Sequence, residues 1–310
     1  MKKEEPLVSV PVVTYNSAQT ILETLESIKA QKYPNIELII SDDCSTDDTV
    51  ELCRKWVEQN KDRFVRTDII TVDKNTGVAA NCNRVEAACR GEWIKGIAGD
   101  DLLMPNCIQV CMDYVTKHPE TIYLFGRQKA FGADEERCAA VDKVFDYSFF
   151  ALPPEQQLHR LFFESNCVPA TTAFYNRLKA KEIGVTNDER IPLLEDWPKW
   201  INLLRAGVKL HFVDKVLVKY RVGGMSTGFH SNPKIYRSSR MFTFLYKYPE
   251  WCKKNPEKAA ERVVDEEMQM YQWLMDSERQ LKQIQASKAY RLGKALLKPF
   301  KWMRKKMRAM

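Results

Sequence analysis

The chain of 310 residues is 45% hydrophobic and 29% charged, ordinary globular values that exclude wholesale disorder and repetitive fibrous structure. Its formal charge of +7 is unevenly placed: residues 282–310 hold ten Lys/Arg and no acid, leaving 38 basic against 41 acidic groups in residues 1–281. A mildly acidic body with a basic tail excludes a nucleic-acid binder, which would spread basic charge over a folded face.

No apolar run approaches the ~18 residues a bilayer span needs, and residues 1–6 run into a strand-like segment without a signal-peptide core. Nine cysteines, an odd number with no C-x-x-C pair, point to reduced thiols rather than a disulfide framework or a zinc site. The run Leu7–Val13 is β-branched and reads as a strand, although Pro11 inside it predicts an edge position or a bulge. Ser17 is the expected cap of a helix whose Ile21, Leu22, Leu25 and Ile28 share one face. A second strand, Ile36–Ile40, closes on Ser41-Asp42-Asp43, and Ser45-Thr46-Asp47-Asp48 then opens a helix with acids at its positive end. A third strand falls within Val65–Val72 and a helix within Ala79–Cys89. Gly91–Ala98 reads as a fourth strand ending at Gly99-Asp100-Asp101.

Beyond about residue 110 the pattern loosens. Phe149–Pro154 reads as a surface crossing, and the aromatics between Phe145 and Phe163 either line an acceptor groove or pack in the core. Residues 193–206 form a helix stopped by Gly207, Val213–Val222 a last strand, and from Glu257 the chain is almost continuous helix. Strand–helix alternation implies an α/β fold with a mostly parallel sheet, whose ligands bind beyond the carboxyl ends of the strands.

Three strands end in polar clusters there: Thr14-Tyr15-Asn16, Ser41-Asp42-Asp43 and Gly99-Asp100-Asp101. Such carboxylates repel one another unless a cation lies between them, and hard oxygen ligands suit Mg²⁺ or Mn²⁺ bridging to substrate phosphates. Neither a G-x-G-x-x-G turn nor a P-loop is present, so a bound nucleotide would depend on metal rather than on a glycine-rich cradle. The four histidines lack metal-ligand spacing and are read as structural.

Together these residues carry a resemblance. Val12-Val13-Thr14-Tyr15-Asn16, the segment Glu37–Thr49, Asn75-Thr76-Gly77, Gly91-Glu92-Trp93-Ile94 through Gly99-Asp100-Asp101, and Leu194-Glu195-Asp196-Trp197 resemble the family 2 glycosyltransferases of the GT-A fold, of the bacterial cell-surface polysaccharide type. The likeness covers about residues 7–225. It implies a Rossmann-like, mostly parallel sheet flanked by helices, and inverting transfer from a nucleotide-sugar donor, UDP-linked, to a glycan or lipid-linked glycan acceptor with Mg²⁺ or Mn²⁺. It implies that Asp43 reads the nucleobase beside Thr14 and Tyr15, and that Asp100 and Asp101 grip ribose and metal. Ala98 stands where the usual D-x-D-D has its first Asp, which leaves open which of the two ligates directly. Asp196 resembles the family's catalytic base, with Glu195 beside it. Arg221, in the Tyr220-Arg221 that precedes Gly223-Gly224-Met225-Ser226 of the closing loop, pairs either with the diphosphate or with a surface acid. Lys74 reads as solvated.

The expected organisation is a transferase domain over residues 1–230, with a nucleotide-binding half to about 110 and an acceptor half from 111. A helical extension over 231–285 and a basic amphipathic tail over 286–310 follow. In the tail Ala289, Leu292, Leu296, Phe300, Met303 and Met307 form one apolar helical stripe among Lys and Arg, the pattern of a helix lying on an anionic membrane, with a partner-binding or nucleic-acid-binding helix or a solvated tail as the alternatives. The expected location is therefore the cytoplasmic face of the cell membrane, and the C-terminal helices (Val264, Met268, Tyr271 and Met275 in one row, Leu274, Leu281 and Ile284 in another) either pack on the body or form a homo-oligomer. Two rivals stand beside this reading. A nucleotidyltransferase would need a glycine- and arginine-rich first loop, which residues 14–20 lack, and a degenerate glycan-binding scaffold would not bind nucleotide with Mn²⁺.

Overall fold

A computed structural model describes residues 5–223 and 233–287 of the chain. The opening run forms β1 (Val8–Thr14), followed by α1 (Ile21–Lys29), β2 (Ile36–Asp42), α2 (Thr49–Asn60), β3 (Arg66–Thr71) and α3 (Val78–Ala88). Two-residue strands β4 (Trp93–Ile94), β5 (Ile97–Ala98) and β6 (Leu102–Leu103) lead to α4 (Cys107–Lys117) and the long β7 (Tyr123–Phe131). Then come α5 (Glu135–Asp142), α6 (Pro154–Phe163), β8 (Phe174–Asn176), α7 (Arg177–Ile183), α8 (Asp196–Arg205) and β9 (Leu210–Arg221). The helices α9 (Pro233–Phe242), α10 (Tyr248–Lys254) and α11 (Pro256–Ala286) complete the described chain.

The strands make one sheet in the order β3-β2-β1-β4-β8-β7-β9-β6, with β5 also on β1. The ladders among β1 to β5 and between β7 and β9 are parallel, while β8 runs antiparallel to β4 and β7. Alternation along β1 sends Val8, Val10 and Val12 to a layer containing α1, α2 and α4. The other face, with Ile39, Ile94, Tyr123 and Phe125, is covered by α3, α6 and α8. Both faces are therefore dry, as a mostly parallel sheet requires.

Pro11 lies in a central strand, not at an edge, and the reason is visible in the pairing. On one side β1 is matched with Ile39 of β2; on the other it pairs with β4 only through Val8 and Ser9, and with β5 only through Val12 and Val13. The gap opposite Pro11 holds Lys95 and Gly96, so the missing N–H costs no ladder bond, and the expected strand Gly91–Ala98 is split in two there. The expected Ser17 cap does not form. The Ser17 carbonyl accepts the Thr20 and Ile21 N–H groups at 2.9 Å, while its own N–H donates to Thr49 Oγ1 at 2.8 Å.

Phe149–Pro154 runs along the surface at Ala151, Pro153 and Pro154, but its first residue does not. A short turn at Tyr147–Ala151 buries Phe149 completely, and Leu161 and Phe162 join the same core cluster, so these aromatics pack the interior. The extension packs on α8: Trp251 Nε1 donates to the Phe162 carbonyl at 3.0 Å, Arg205 pairs with Glu250 at 2.6 Å, and Lys247 lies over the Trp197 ring while pairing with Glu266 of α11. Val264, Met268 and Tyr271 on α11 stay exposed. The tail stripe from Ala289 to Met307 and the loop residues Gly224, Met225 and Ser226 lie outside the described residues, as do the side chains of Leu274, Leu281 and Ile284. Among the described residues no helix is long and apolar enough to cross a membrane.

Candidate active site

Parallel register brings three strand ends to one edge. Thr14 is paired with Asp42, the Asp43 N–H donates to the Thr14 carbonyl at 2.9 Å, and the Gly99 N–H donates to the Val13 carbonyl at 2.9 Å. The first two loops are then laced together. The Asn16 N–H donates to Ser45 Oγ at 2.8 Å, Thr46 N–H to Asn16 Oδ1 at 2.8 Å, and Ala18 N–H to Asp47 Oδ2 at 3.1 Å. Asn16 and Cys44 hold φ of 52° and 66°, a left-handed backbone that non-glycine residues adopt at a cost. Thr14 Oγ1 is buried at this edge with no partner among the described residues, and Tyr15 beside it is half-buried.

Asp43 is almost wholly buried, and its carboxylate accepts from Thr76 Oγ1 at 2.6 Å, Gly77 N–H at 2.8 Å, Thr76 N–H at 3.0 Å and the Arg84 guanidinium at 3.0 Å. Burial alone would raise this carboxyl, but the Thr76, Arg84 and Gly77 donors outweigh it and hold the group below the ordinary carboxylate range. The turn it grips needs glycine. Gly77 has φ of 91°, and a Cβ there would meet Pro192 at 2.8 Å.

Asp100 and Asp101 follow β5 and are tied to the end of β9. The Arg221 N–H donates to Asp101 Oδ1 at 2.8 Å, and its Nε donates to the Asp100 carbonyl at 2.8 Å. The same guanidinium pairs with Glu23 at 2.7 Å and stacks 4.5 Å over Phe131, so Arg221 is engaged on all sides within the chain. Burial, with the Asp100 charge second, pushes the Asp101 carboxyl up to about 8; burial also raises Asp100. Two carboxyls that resist ionising together are what a cation would stabilise. No group of three or more His, Cys, Asp or Glu forms a cage among the described residues, so a metal here would take its remaining ligands from water and substrate phosphate.

Glu195 and Asp196 stand at the start of α8, held by a loop that lies on α3. The Ala79 N–H donates to the Pro192 carbonyl at 3.2 Å, and Asn83 bonds Asn187 at 2.9–3.1 Å. The turn that grips Asp43 and the loop that carries the acid pair are thus neighbours across the start of α3. Asn166 Nδ2 donates to Asp196 Oδ2 at 2.7 Å. Burial raises both carboxyls; Glu195 is raised further by the Asp196 charge, and Asn166 restrains Asp196. Asp196 bonds to Asn166, whereas the Asp101 carboxylate and the Asp100 carbonyl bond to Arg221 of β9, so the two acid groups are held by different partners. Sequence reasoning missed Thr76 and Arg84 as partners of Asp43, Asn166, and the buried Lys199 that pairs with Glu86 at 3.1 Å. The one signal for Lys199 was a lysine amid the apolar residues Trp197, Trp200, Ile201 and Leu204.

The description Glycosyl transferase family 2 matches residues 9–184. A similar curated protein is the Escherichia coli UDP-Glc:alpha-D-GlcNAc-diphosphoundecaprenol beta-1,3-glucosyltransferase WfaP, 28% identical over 235 residues, which are 76% of this chain and 85% of that protein. The E. coli chondroitin synthase is 32% identical over 116 residues, 37% of this chain and 16% of that much longer protein. Among solved structures, S. aureus TarS 1-349 in complex with UDP-GlcNAc matches with a TM-score of 0.60 at 18% identity, over 77% of this chain and 66% of that one. The match spans 39% of the longer TarS chain. At such identity the likeness speaks for the fold, and it agrees with the sheet described above. The sequence match covers more than half of the chain, and on it the protein belongs to glycosyl transferase family 2, a glycosyltransferase of the GT-A fold.

Proposed function

We propose that this glycosyltransferase moves a sugar from a UDP-linked donor to a hydroxyl of a glycan or lipid-linked glycan acceptor in bacterial polysaccharide synthesis, inverting the anomeric carbon. The observation that carries the reading is the Glu195–Asp196 pair, two carboxyls raised by burial at a helix start, beside the nucleotide edge of the sheet. A raised carboxyl takes a proton more readily near neutral pH, which is what a general base must do. Asp196 accepts the acceptor's hydroxyl proton as that oxygen bonds to the anomeric carbon. The bond from that carbon to the diphosphate breaks on the opposite face, and UDP leaves. Glu195 orients Asp196 or the incoming hydroxyl. A UDP donor is supported by the UDP-Glc in the name of WfaP and the UDP-GlcNAc in the TarS complex.

Thr14 and Tyr15 face the nucleoside, and Asp43 shapes the nucleobase side by fixing Thr76 and Gly77. Arg221 lies near enough to Asp100 and Asp101 to exchange its pairing with Glu23 for one with phosphate. Asp100 and Asp101 are the residues that would hold Mg²⁺ or Mn²⁺, and the orphaned Thr14 hydroxyl and mutually repelling carboxyls suit that ion; bound there, it would neutralise the departing diphosphate.

The test is calorimetry with UDP, with and without Mn²⁺, beside UDP release from a panel of nucleotide sugars. Wild type is expected to bind UDP with Mn²⁺ and turn over at least one UDP-sugar, while Asp100→Ala weakens the metal-dependent binding by about 10- to 100-fold. Binding indifferent to Mn²⁺, with no sugar donor turned over, defeats the reading.

Residues 1–110 supply the donor side and 111–230 the acceptor side. The basic tail 286–310 would hold the enzyme at the inner face of the cell membrane, where a lipid-linked acceptor is presented, and the exposed row on α11 supports pairing with a second copy. Deleting residues 286–310 is expected to abolish sedimentation with anionic liposomes while leaving binding of UDP unchanged. Equal sedimentation of the two chains would remove the membrane claim.

A further inference from the structure

Lys199 follows Glu195 by four residues and Asp196 by three, so all three rise from one side of the first turns of α8. The residue is 5% exposed, its Nζ lies 3.1 Å from Glu86 Oε1 on α3, and it sits 5.2 Å from the centre of the Tyr175 ring on β8. Glu86 in turn stands one turn after Cys82, whose thiol is pushed far up by burial and by the surrounding charges of Glu195, Glu86 and Asp196, with Lys199 opposing them. The other titratable groups facing the lysine, Tyr123 on β7 and Tyr175, are kept neutral by burial. Among the described groups around Cys82 there are therefore three carboxyls, Glu86, Glu195 and Asp196, and a single cation. A buried ion pair is a poor device for stability alone, because apolar residues of the same volume serve as well or better.

We infer that the Glu86–Lys199 pair tunes the charge of Glu195, the neighbour of Asp196, which makes Lys199 and Glu86 positioning residues of the transfer reaction. The inference rests on the reading of Asp196 as general base. Lys199, four residues on from Glu195 along α8, supplies positive charge that favours the ionised form of Glu195 beside Asp196, and Glu86 takes up part of that charge and fixes where it sits. The two partners therefore act on Glu195 with opposite signs, which a pair that only holds α3 against α8 does not require.

The experiment is a carbon-13 carboxyl NMR titration of the full chain labelled at glutamate, with the Glu195 signal identified by its loss in Glu195→Gln. Lys199→Met is expected to raise the Glu195 midpoint by about 1 pH unit or more, Lys199→Arg to leave it near wild type, and Glu86→Gln to lower it. The acid limb of the pH profile for UDP release follows in the same directions. Lys199→Met leaves the half-buried Glu86 without its lysine, so Glu86→Gln, which keeps the lysine against Tyr175, decides even where the first variant does not fold. A Glu195 midpoint unmoved or raised in Glu86→Gln overturns the inference. Asp196→Asn separates it from the reading beneath it. Activity retained there defeats the base assignment, whereas activity lost there with an unmoved Glu195 midpoint in Glu86→Gln defeats only the role of the pair.

Discussion

Asp196→Asn is expected to bind UDP as the wild type does and to lose transfer by about 10²- to 10⁴-fold, the usual contribution of a positioned general base. The amide keeps an oxygen that can accept from Asn166, so the start of α8 and the loop on α3 stay in place. What disappears is the basic carboxylate, and with it the acceptor for the hydroxyl proton. The donor side, built from the ends of β1, β2 and β5, shares no hydrogen bond with Asp196. Calorimetry with UDP and a coupled assay of UDP release separate the two effects. Activity within a few-fold of wild type would end the assignment of Asp196, and loss of UDP binding alongside activity would show that the two sides of the site are not separable.

The second large effect is at Asp43. Asp43→Ala strips Thr76, Gly77 and Arg84 of their shared acceptor and leaves the Arg84 guanidinium without the carboxylate that it faces. Breaking a buried pair in this way costs about 3–5 kcal/mol, and the nucleobase side of the site should be lost with it. Chemical denaturation measures the first consequence and UDP calorimetry the second. The pH dependence has a definite sign. The native carboxyl lies below its ordinary value, so its contribution is present above the unfolded value of about 3.9 and is lost as pH falls through the native one. The stability gap between wild type and variant must therefore narrow in acid. A gap that widens on acidification would contradict the hydrogen-bonded carboxylate.

Much of the first hundred residues was legible because local signals and tertiary fate agree. Val8, Val10 and Val12 alternate, Ile36, Leu38, Ile39 and Ile40 are apolar with only Glu37 between them, and both strands are buried as such patterns demand. The polar strand ends come together for the same reason, since parallel register aligns them without further information. Where reading failed, the deciding partner was distant. Nothing in Gly91–Ala98 tells that Pro11, on the neighbouring strand, leaves the ladder open there. Lys199 has no visible partner until Glu86, 113 residues earlier, is placed against it, and Asn166 has no visible tie to Asp196 thirty residues on. Phe149 falls in a segment read as a surface crossing, yet its ring is completely buried while Pro153 and Pro154 stay exposed.

The placement of β8 bears on how such enzymes can be recombined. Trp93 and Ile94 pair with Asn176 and Tyr175, so the strand that covers β4, at the start of β1, comes from some eighty residues further along the chain. A hybrid cut near residue 110, meant to exchange acceptor preference, would strip that cover and leave β4 as a bare apolar edge inviting aggregation. Grafts of new acceptor specificity should instead keep residues 174–176 with the donor side and exchange the surface segments around them.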